Sequence, residues 1–212
     1  MRVLLSTFTL LFLISGSTHL VAKKSTWNWP PKSKAQAVDL SKFTLDENLE
    51  ITLWAKSPMF YNPTNMAIDP QGRIWIAEGV NYREKLGTRR EAGDRIVVLT
   101  DTNGDGSADQ SKVFWQDPYL ESPLGIAVFD NQIVVSQPPE ILVLTDVDRN
   151  LEFEPEIDKK EILLTGFNGR QHDHSLHSVT SGPDGKWYFN SGNCGAIFTD
   201  NSGKTFRMNT NY

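Results

Sequence analysis

The chain has 212 residues, a formal net charge of −5 at pH 7 and a single cysteine, Cys194. The acidic balance argues against nucleic acid as a partner, because phosphate contacts need a basic face. One cysteine excludes an internal disulfide, so the fold must be stabilised by an apolar core or by a bound metal.

The N-terminus has the pattern of an export signal. A basic start precedes an apolar run over residues 3–14, and small and polar residues follow as far as Ala22. The run is too short for a membrane-spanning helix and matches a signal-peptide core. We therefore expect residues 1–22 to be a signal peptide, cleaved near Ala22 or within residues 15–17, and the protein to be exported to the periplasm or out of the cell. The alternative is an uncleaved anchor, which makes the membrane a partner through this segment alone.

Residues 23–42 are polar and are predicted to form an exposed linker. From residue 43 onward, apolar and polar residues alternate in short runs, and no segment shows a sustained helical period. The predicted strands are residues 49–54, 73–77, 96–99, 132–135, 141–144 and 186–189. Turn signals separate them, such as Asp-Pro-Gln-Gly at residues 69–72 and Gly-Pro-Asp-Gly at residues 182–185.

An internal repeat indicates the architecture. Ile-Val-Val-Leu-Thr-Asp at residues 96–101 recurs as Ile-Leu-Val-Leu-Thr-Asp at residues 141–146, and each copy leads into an acidic loop and a further strand. Periods of this size are typical of β-propeller blades, which stack because one blade cannot bury its own faces. We therefore predict an all-β fold in which residues 43–212 form about three blades, with a β-sandwich as the alternative. A closed propeller has typically four to eight blades, so we expect the chain to be the N-terminal part of a longer protein.

Three of the four histidines, His172, His174 and His177, are clustered beside Arg170 and Asp173. Histidine titrates near neutral pH and is the commonest metal ligand. Because the spacing is not a zinc signature, we predict a site for proton transfer rather than a closed metal site. In an extended chain His172 and His174 would face one side and His177 the other. The alternative is a polar loop whose histidines satisfy local hydrogen bonds.

The loop after the first repeat copy reads Asp-Thr-Asn-Gly-Asp-Gly-Ser-Ala-Asp over residues 101–109. Oxygen ligands at alternate positions, with glycine at the sixth, are what calcium needs. The predicted calcium ligands are Asp101, Asn103, Asp105 and Asp109. A solvated turn is the alternative. The sister loop, which starts at Asp146, lacks the glycines and carries Arg149, which argues against a cation there.

A polar run follows the strand predicted at residues 73–77. It contains four candidate substrate contacts, Glu78, Asn81, Tyr82 and Arg83. It holds the same place in its repeat that residues 191–193 hold in the third repeat, so both runs should reach one end of the propeller. Charged and aromatic side chains there suit a polar substrate, and an ordinary surface hairpin is the alternative.

Several of these motifs together resemble a known family. They are His-Asp-His-Ser-Leu-His at residues 172–177, Gly-Pro-Asp-Gly-Lys-Trp-Tyr-Phe at residues 182–189, and Gly192 with Asn193. This set is similar to the soluble quinoprotein glucose and sorbosone dehydrogenases. It is most similar to the N-terminal propeller of the membrane-bound dehydrogenases of the Planctomycetes and Verrucomicrobia type. Residues 74–82 and the Asn-Gly-Asp-Gly loop also fit that second group, and the resemblance covers residues 43–207.

The resemblance implies a six-bladed propeller that carries pyrroloquinoline quinone with calcium beside it. It implies that His174 is the catalytic base and that Asn193 stands at the quinone. We further expect Asp173 or Arg170 to tune and orient the base, and His172 to contact the cofactor. Two positions depart from the family pattern. Asn193 stands where the family has an aspartate, and the family's glutamine is absent near residues 120–121. The chain also contains no Cys-x-x-Cys-His motif for haem.

The expected function is therefore an exported dehydrogenase that oxidises a hydroxyl of a sugar or similar alcohol. In this interpretation His174 takes the hydroxyl proton while hydride passes to the quinone, and a cytochrome c domain or protein accepts the electrons. The alternative is a non-catalytic propeller that binds carbohydrate or a protein partner. The histidine cluster favours the enzyme, and the two departures favour the binding protein.

Overall fold

The computed structural model describes residues 37–82, 89–168, 174–200 and 202–208. This part of the chain is all-β, with twelve strands in antiparallel sheets and one short 3-10 helix at Leu40–Lys42. The strands are β1 (Pro63–Ile68), β2 (Ile74–Glu78), β3 (Arg95–Thr100), β4 (Gln110–Gln116), β5 (Gly125–Phe129), β6 (Gln132–Gln137), β7 (Glu140–Thr145), β8 (Lys159–Phe167), β9 (Leu176–Ser181), β10 (Trp187–Ser191), β11 (Ala196–Thr199) and β12 (Thr205–Met208). None of the described residues belongs to a helix with the length and apolar character needed to cross a membrane. The predicted signal segment lies outside the described residues.

Two units of four strands follow one another along the chain. The first sheet has the order β1-β2-β3-β4, and the second sheet contains the same meander, β5-β6-β7-β8. The repeated Ile-x-Val-Leu-Thr segments are β3 and β7, the third strand of each unit. The first turn forms because the Asp69 carboxylate accepts hydrogen bonds from the backbone of Gln71 and Arg73 while Gly72 adopts a φ of +78°.

The central strands contain consecutive apolar residues. Because successive residues of a strand point to opposite sides of the sheet, both faces of each sheet are apolar. In β2, Trp75 and Ala77 join a cluster shared by the first and second sheets, and Ile76 packs on the other face. The Trp75 and Phe114 rings meet edge to face with centroids 5.1 Å apart, a geometry that adds about 0.5–1.5 kcal/mol beyond the buried area. Each four-stranded sheet therefore needs a covering layer on either side.

The strand predicted at residues 49–54 is wrong. The structure has no strand before Pro63 among the described residues, and Leu49 is exposed. Trp54 packs instead on the open face of the first sheet against Ile76 and Leu99, and its carbonyl accepts a 2.7 Å hydrogen bond from Ala108 N. The alternating pattern there reflects a covering segment that contributes apolar side chains without joining the ladder.

The third unit differs from the regular blade that the repeat predicts. Strands β9 and β10 pair only with each other, and β11 pairs with β8, so that the second sheet becomes β12-β11-β8-β7-β6-β5. This pairing is possible because Gly166 adopts a φ of +107° where a Cβ would lie 1.9 Å from the Ile197 carbonyl oxygen. The Phe167 and Phe198 rings stack beside it with centroids 5.2 Å apart. No sheet closes on itself within the described strands.

The first strands of the three units lie side by side. Strand β1 packs against β5, and β5 packs against β9. At the start of β5, a Cβ on Gly125 would lie 2.5 Å from the carbonyl oxygen of His177, so this close approach requires glycine. The first two units are antiparallel meanders, so the connections β2–β3, β4–β5, β6–β7 and β8–β9 open at one end, here called the upper end. The β10–β11 turn lies at the same end, because it is hydrogen-bonded to His174 and Ser175 of the β8–β9 connection. The remaining turns and loops lie at the lower end.

Candidate functional site

His174 lies at the upper end, where the turn after β10 is hydrogen-bonded to it. Cys194 N donates to the His174 carbonyl oxygen at 3.0 Å, and Gly192 N donates to the Ser175 carbonyl oxygen at 2.7 Å. A Cβ on Gly192 would lie 2.5 Å from the His174 carbonyl oxygen, so no larger residue fits at this position without displacing His174. The structure therefore brings together His174 and Asn193, two residues that the sequence assigned to one site, and both are exposed.

Of the other histidine-loop residues that the sequence singles out, the structure describes His177. His177 is the second residue of β9 and is half-buried, and its carbonyl oxygen accepts a hydrogen bond from Ser136 Oγ. Two members of the predicted catalytic set, Arg170 and Asp173, lie outside the described residues, as do the predicted cofactor contact His172 and the predicted substrate contact Arg83. Near the same turn, Ser191 Oγ is buried and has no hydrogen-bond partner in the described part of the chain.

Glu78, predicted to contact substrate, is fully buried in an ion cluster. Its carboxylate accepts hydrogen bonds from Arg90 Nη1 at 2.7 Å, from Arg95 Nε at 2.8 Å and from Arg95 Nη2 at 2.7 Å. Tyr61 N adds a further bond of 2.8 Å. A buried carboxylate needs this much compensation, because removal from water costs several kcal/mol per ion. A direct contact between Glu78 and a substrate would require this cluster to open.

Asn81 is also buried, and its side chain closes the loop that follows β2. Its amide nitrogen donates to the Arg90 carbonyl oxygen at 3.0 Å, and its amide oxygen accepts from Arg90 N at 2.9 Å and from Arg89 N at 3.1 Å. The neighbouring Tyr82 is half-buried. The polar groups of Asn81 thus fix the loop from which Tyr82 projects, and they are bound within the loop.

The sequence analysis did not identify Asp94 as part of this end. Its buried carboxylate accepts hydrogen bonds from Ser122 N at 2.7 Å and from Asn81 N at 3.1 Å, which ties the β2–β3 loop to the β4–β5 connection. Burial raises the pKa of the Asp94 carboxyl to about 6, against the N–H donors and the Arg90 charge, which lower it. The signal available in the sequence was the charged pair Asp94-Arg95 directly before an apolar strand.

The predicted calcium loop lies at the lower end, with its carboxylates bound to its own backbone. Asp101 accepts from Gly104 N at 2.7 Å and from Gly106 N at 2.8 Å. Asn103 Oδ1 accepts from Asp105 N at 2.9 Å. Asp109 is held by Thr102, whose side-chain and backbone hydrogen bonds lower the pKa of Asp109. The carboxylates of this loop do not converge on one point, and calcium binding here stays a prediction.

The sister loop, in contrast, brings three carboxylates together. Oxygens of Asp146, Asp148 and Asp158 lie within 4.8 Å of one another, the one such group among the residues that the structure describes. Burial raises the pKa of Asp146, and the charge of Asp158 adds to this effect. These oxygens could hold a cation, although the sequence pattern argued against one in this loop.

One family comparison covers this whole arrangement. Residues 35–212 match the model of a family described as Domain of unknown function (DUF7133). The chain belongs to this family. The DUF7133 match includes all twelve described strands, and with them both ends of the molecule. No curated protein matches the chain. The function therefore has to be inferred from the geometry of the two ends.

The ion cluster predicts a structural effect of Glu78. Glu78→Gln removes the negative charge between Arg90 and Arg95, and breaking a buried ion pair on one side costs about 3–5 kcal/mol. We expect a loss of unfolding free energy of this size in denaturant titrations. Glu91→Gln, at an exposed position of the same loop, is the matched control and should change stability little. Unchanged stability of Glu78→Gln would contradict the structural role.

The raised pKa of Asp94 predicts a pH dependence. The folded carboxyl has a pKa of about 6 against 3.8 for the ordinary group, so the folded chain holds a proton that the unfolded chain has lost between these values. The unfolding free energy should therefore fall by about 3 kcal/mol as the pH rises from about 4 to about 6, and this contribution should then stay constant.

Denaturant titrations across this pH range measure the effect. Asp94→Asn removes the titrating group, so this part of the slope should disappear. Glu91→Gln, at an exposed position of the same loop, should leave the slope as in the parent chain. A slope that persists in Asp94→Asn would assign the pH dependence to another group.

Calcium binding is tested by thermal unfolding, because a ligand that binds only the folded chain raises the melting temperature. The sequence predicts that calcium raises this temperature and that Asp105→Ala abolishes the increase. Asp148→Ala is the matched variant in the sister loop and should retain it. If Asp148→Ala loses the increase in melting temperature instead, the cation binds at the converging carboxylates of the sister loop. If calcium does not raise the melting temperature of the parent chain, neither loop binds it.

Proposed function

We propose that the chain forms part of a β-propeller and that its upper end is the functional face. Two consecutive four-stranded meanders with repeated third strands support this architecture. The side-by-side packing of β1, β5 and β9, the first strand of each unit, also supports it. In a propeller the connections at each end surround the axis along which these first strands lie.

The proposed reaction at this face is oxidation of a hydroxyl group on a sugar or similar alcohol. The hydroxyl proton passes to His174, the general base, and the hydrogen on the carbon leaves as hydride to an external two-electron acceptor. The observation that carries it is the pair of backbone hydrogen bonds that seat residues 192–194 against His174. They give an exposed imidazole a fixed backbone beside Asn193, and a base must be positioned within hydrogen-bond reach of the proton it removes. Residues 170, 172 and 173 complete the proposed set.

Pyrroloquinoline quinone, which the sequence resemblance implies, fits the described residues poorly. The quinone is a tricarboxylate and needs cationic partners. At this end, the guanidinium groups of the buried Arg90 and the half-buried Arg95 both bind Glu78. The position that carries an aspartate in the resembling family is Asn193. We therefore derive no step through the quinone, and the test below supplies the electron acceptor from outside.

The same observations favour a second candidate, a propeller that binds carbohydrate or a protein partner without oxidising it. Binding requires polar groups at the upper end but no electron acceptor. In either case, the export pattern of residues 1–22 supports a location in the periplasm or outside the cell. In the first candidate alone, a cytochrome c domain or protein is the proposed final acceptor, which takes the two electrons one at a time from the hydride acceptor.

The test is dye-linked oxidation across a panel of sugars, with and without added quinone and calcium. His174→Asn keeps a similar size and some hydrogen bonding but removes the titratable nitrogen. Loss of a general base typically lowers the rate about a hundred- to ten-thousand-fold. We expect this loss in His174→Asn, and a much smaller effect in the matched variant His177→Asn.

The outcomes separate the two candidates. A parent chain that oxidises no sugar and takes up no quinone would replace the enzyme with the binding propeller. Full activity of His174→Asn in an active protein would show that the base is misassigned, and His172 would be the next residue to change.

A further inference from the structure

A cavity of about 230 Å³ opens at the lower end, between the first and second sheets. Three connections form its rim: the β1–β2 turn, the β5–β6 turn and the loop after β7. Its floor is made by Trp75 and Ile133, which are buried in the shared core, and by Leu151, which packs on that core. The polar rim residues are Gln71, Arg73, Asp130, Asn131 and Arg149.

The rim presents hydrogen-bonding atoms that the protein does not use. Arg73 donates from Nε to Asp69 and from Nη2 to Gln71 Oε1 at 3.2 Å, and no described residue accepts from its Nη1. Gln71 keeps its amide nitrogen as a donor. Asn131 donates to the Asp146 carbonyl oxygen at 3.0 Å, which leaves its amide oxygen as an acceptor. Donors and an acceptor therefore stand together around one small opening.

The charges around the cavity exclude a negatively charged ligand. Arg149 is bound through both terminal nitrogens to Asp130, at 2.7 and 2.6 Å, and Arg73 is bound to Asp69. With the buried Asp146, three carboxylates face two guanidinium groups. An anion would meet a net negative charge, whereas a neutral ligand can use the remaining donors and acceptors without disturbing either ion pair.

The size of the cavity narrows the ligand further. Pockets for drug-sized ligands usually measure about 300–1,000 Å³, so this cavity suits a single small ring rather than a chain. Each hydroxyl group both donates and accepts, which matches a rim that presents donors and an acceptor. We propose that this cavity binds a small neutral polyhydroxylated ring, a monosaccharide or a cyclic polyol. This site lies at the end opposite to His174 and does not depend on the proposed oxidation.

Trp75 provides a probe, because it lines the cavity and its indole N–H donates to Asp69 at 2.8 Å. The experiment follows the indole ¹H–¹⁵N resonance of Trp75 in the whole chain during titration with D-glucose and, separately, with myo-inositol. We expect a saturable shift with at least one of them, also in the presence of a chelator, and a much weaker response to D-glucuronate.

Two variants locate the ligand. Gln71→Ala removes an exposed donor and its contact to Arg73, and the loss of one or two hydrogen bonds should weaken binding about three- to tenfold. Gln110→Ala changes the same residue type at an exposed position outside the cavity and should bind like the parent chain. Absence of any saturable Trp75 shift, stronger binding of D-glucuronate, or equal affinity of Gln71→Ala and the parent chain would each overturn the proposal. Loss of the shift on chelation would assign the response to a cation at Asp146 instead.

Discussion

Each sheet of this chain is apolar on both faces, and a sheet cannot bury its own faces. This constraint organises the molecule. In β3, Ile96 and Val98 pack toward the second sheet, and Val97 and Leu99 pack toward the covering segment around Trp54. The second sheet is covered in the same way, by the first sheet on one side and by the aromatic side chains of the third unit on the other. Stacking of this kind aligns the units and gathers their connections into two ends.

The charged groups at the two ends have different partners. At the upper end, charges are buried and held: Glu78 lies between two guanidinium groups, and Asp94 accepts backbone N–H groups from two connections. A buried ion pair contributes little net stability but is costly to break, so such groups fix geometry more than they add energy. At the lower end, Asp69, Asp146 and Asp158 are also buried, but each accepts backbone N–H groups of its own turn or loop. The other carboxylates of these loops are more exposed to solvent, which screens them. Buried charges that link two connections would suit the proposed site around His174, which needs a fixed backbone.

The sequence predicts the all-β fold, most strands and the turns well, because β-branched runs and Asp/Gly/Pro turns depend on residues that are close in sequence. The prediction fails where the structure depends on contacts between residues that are distant in sequence. The strand expected at residues 49–54 has the right alternation, but Trp54 packs on the face of the first sheet and the segment joins neither of its edges. The third unit lacks its regular sheet because Gly166 lets β11 approach β8, a contact between residues distant in sequence. The burial of Glu78 was unpredictable for the same reason, since it depends on Arg90 and Arg95 arriving from across a loop.

The two acidic loops show a second reason why prediction from sequence fails. Glycine indicates where a left-handed backbone conformation costs little energy, but residues other than glycine can adopt the same conformation. Positions four and six of the first loop are Gly104 and Gly106, with φ of +74° and +87°. The same positions of the sister loop are Arg149 and Leu151, with φ of +63° and +64°. For residues with a Cβ this conformation costs about 1–2 kcal/mol each. The sister loop offsets that cost through the Arg149–Asp130 ion pair, the packing of Leu151 on the core and the Asp146 carboxylate, which accepts Leu151 N at 3.0 Å. Glycine therefore indicates the loop that adopts this shape at the lowest energetic cost. The convergence of carboxylates instead depends on Asp158, which lies outside the Asp/Asn/Gly spacing by which calcium loops are recognised in a sequence.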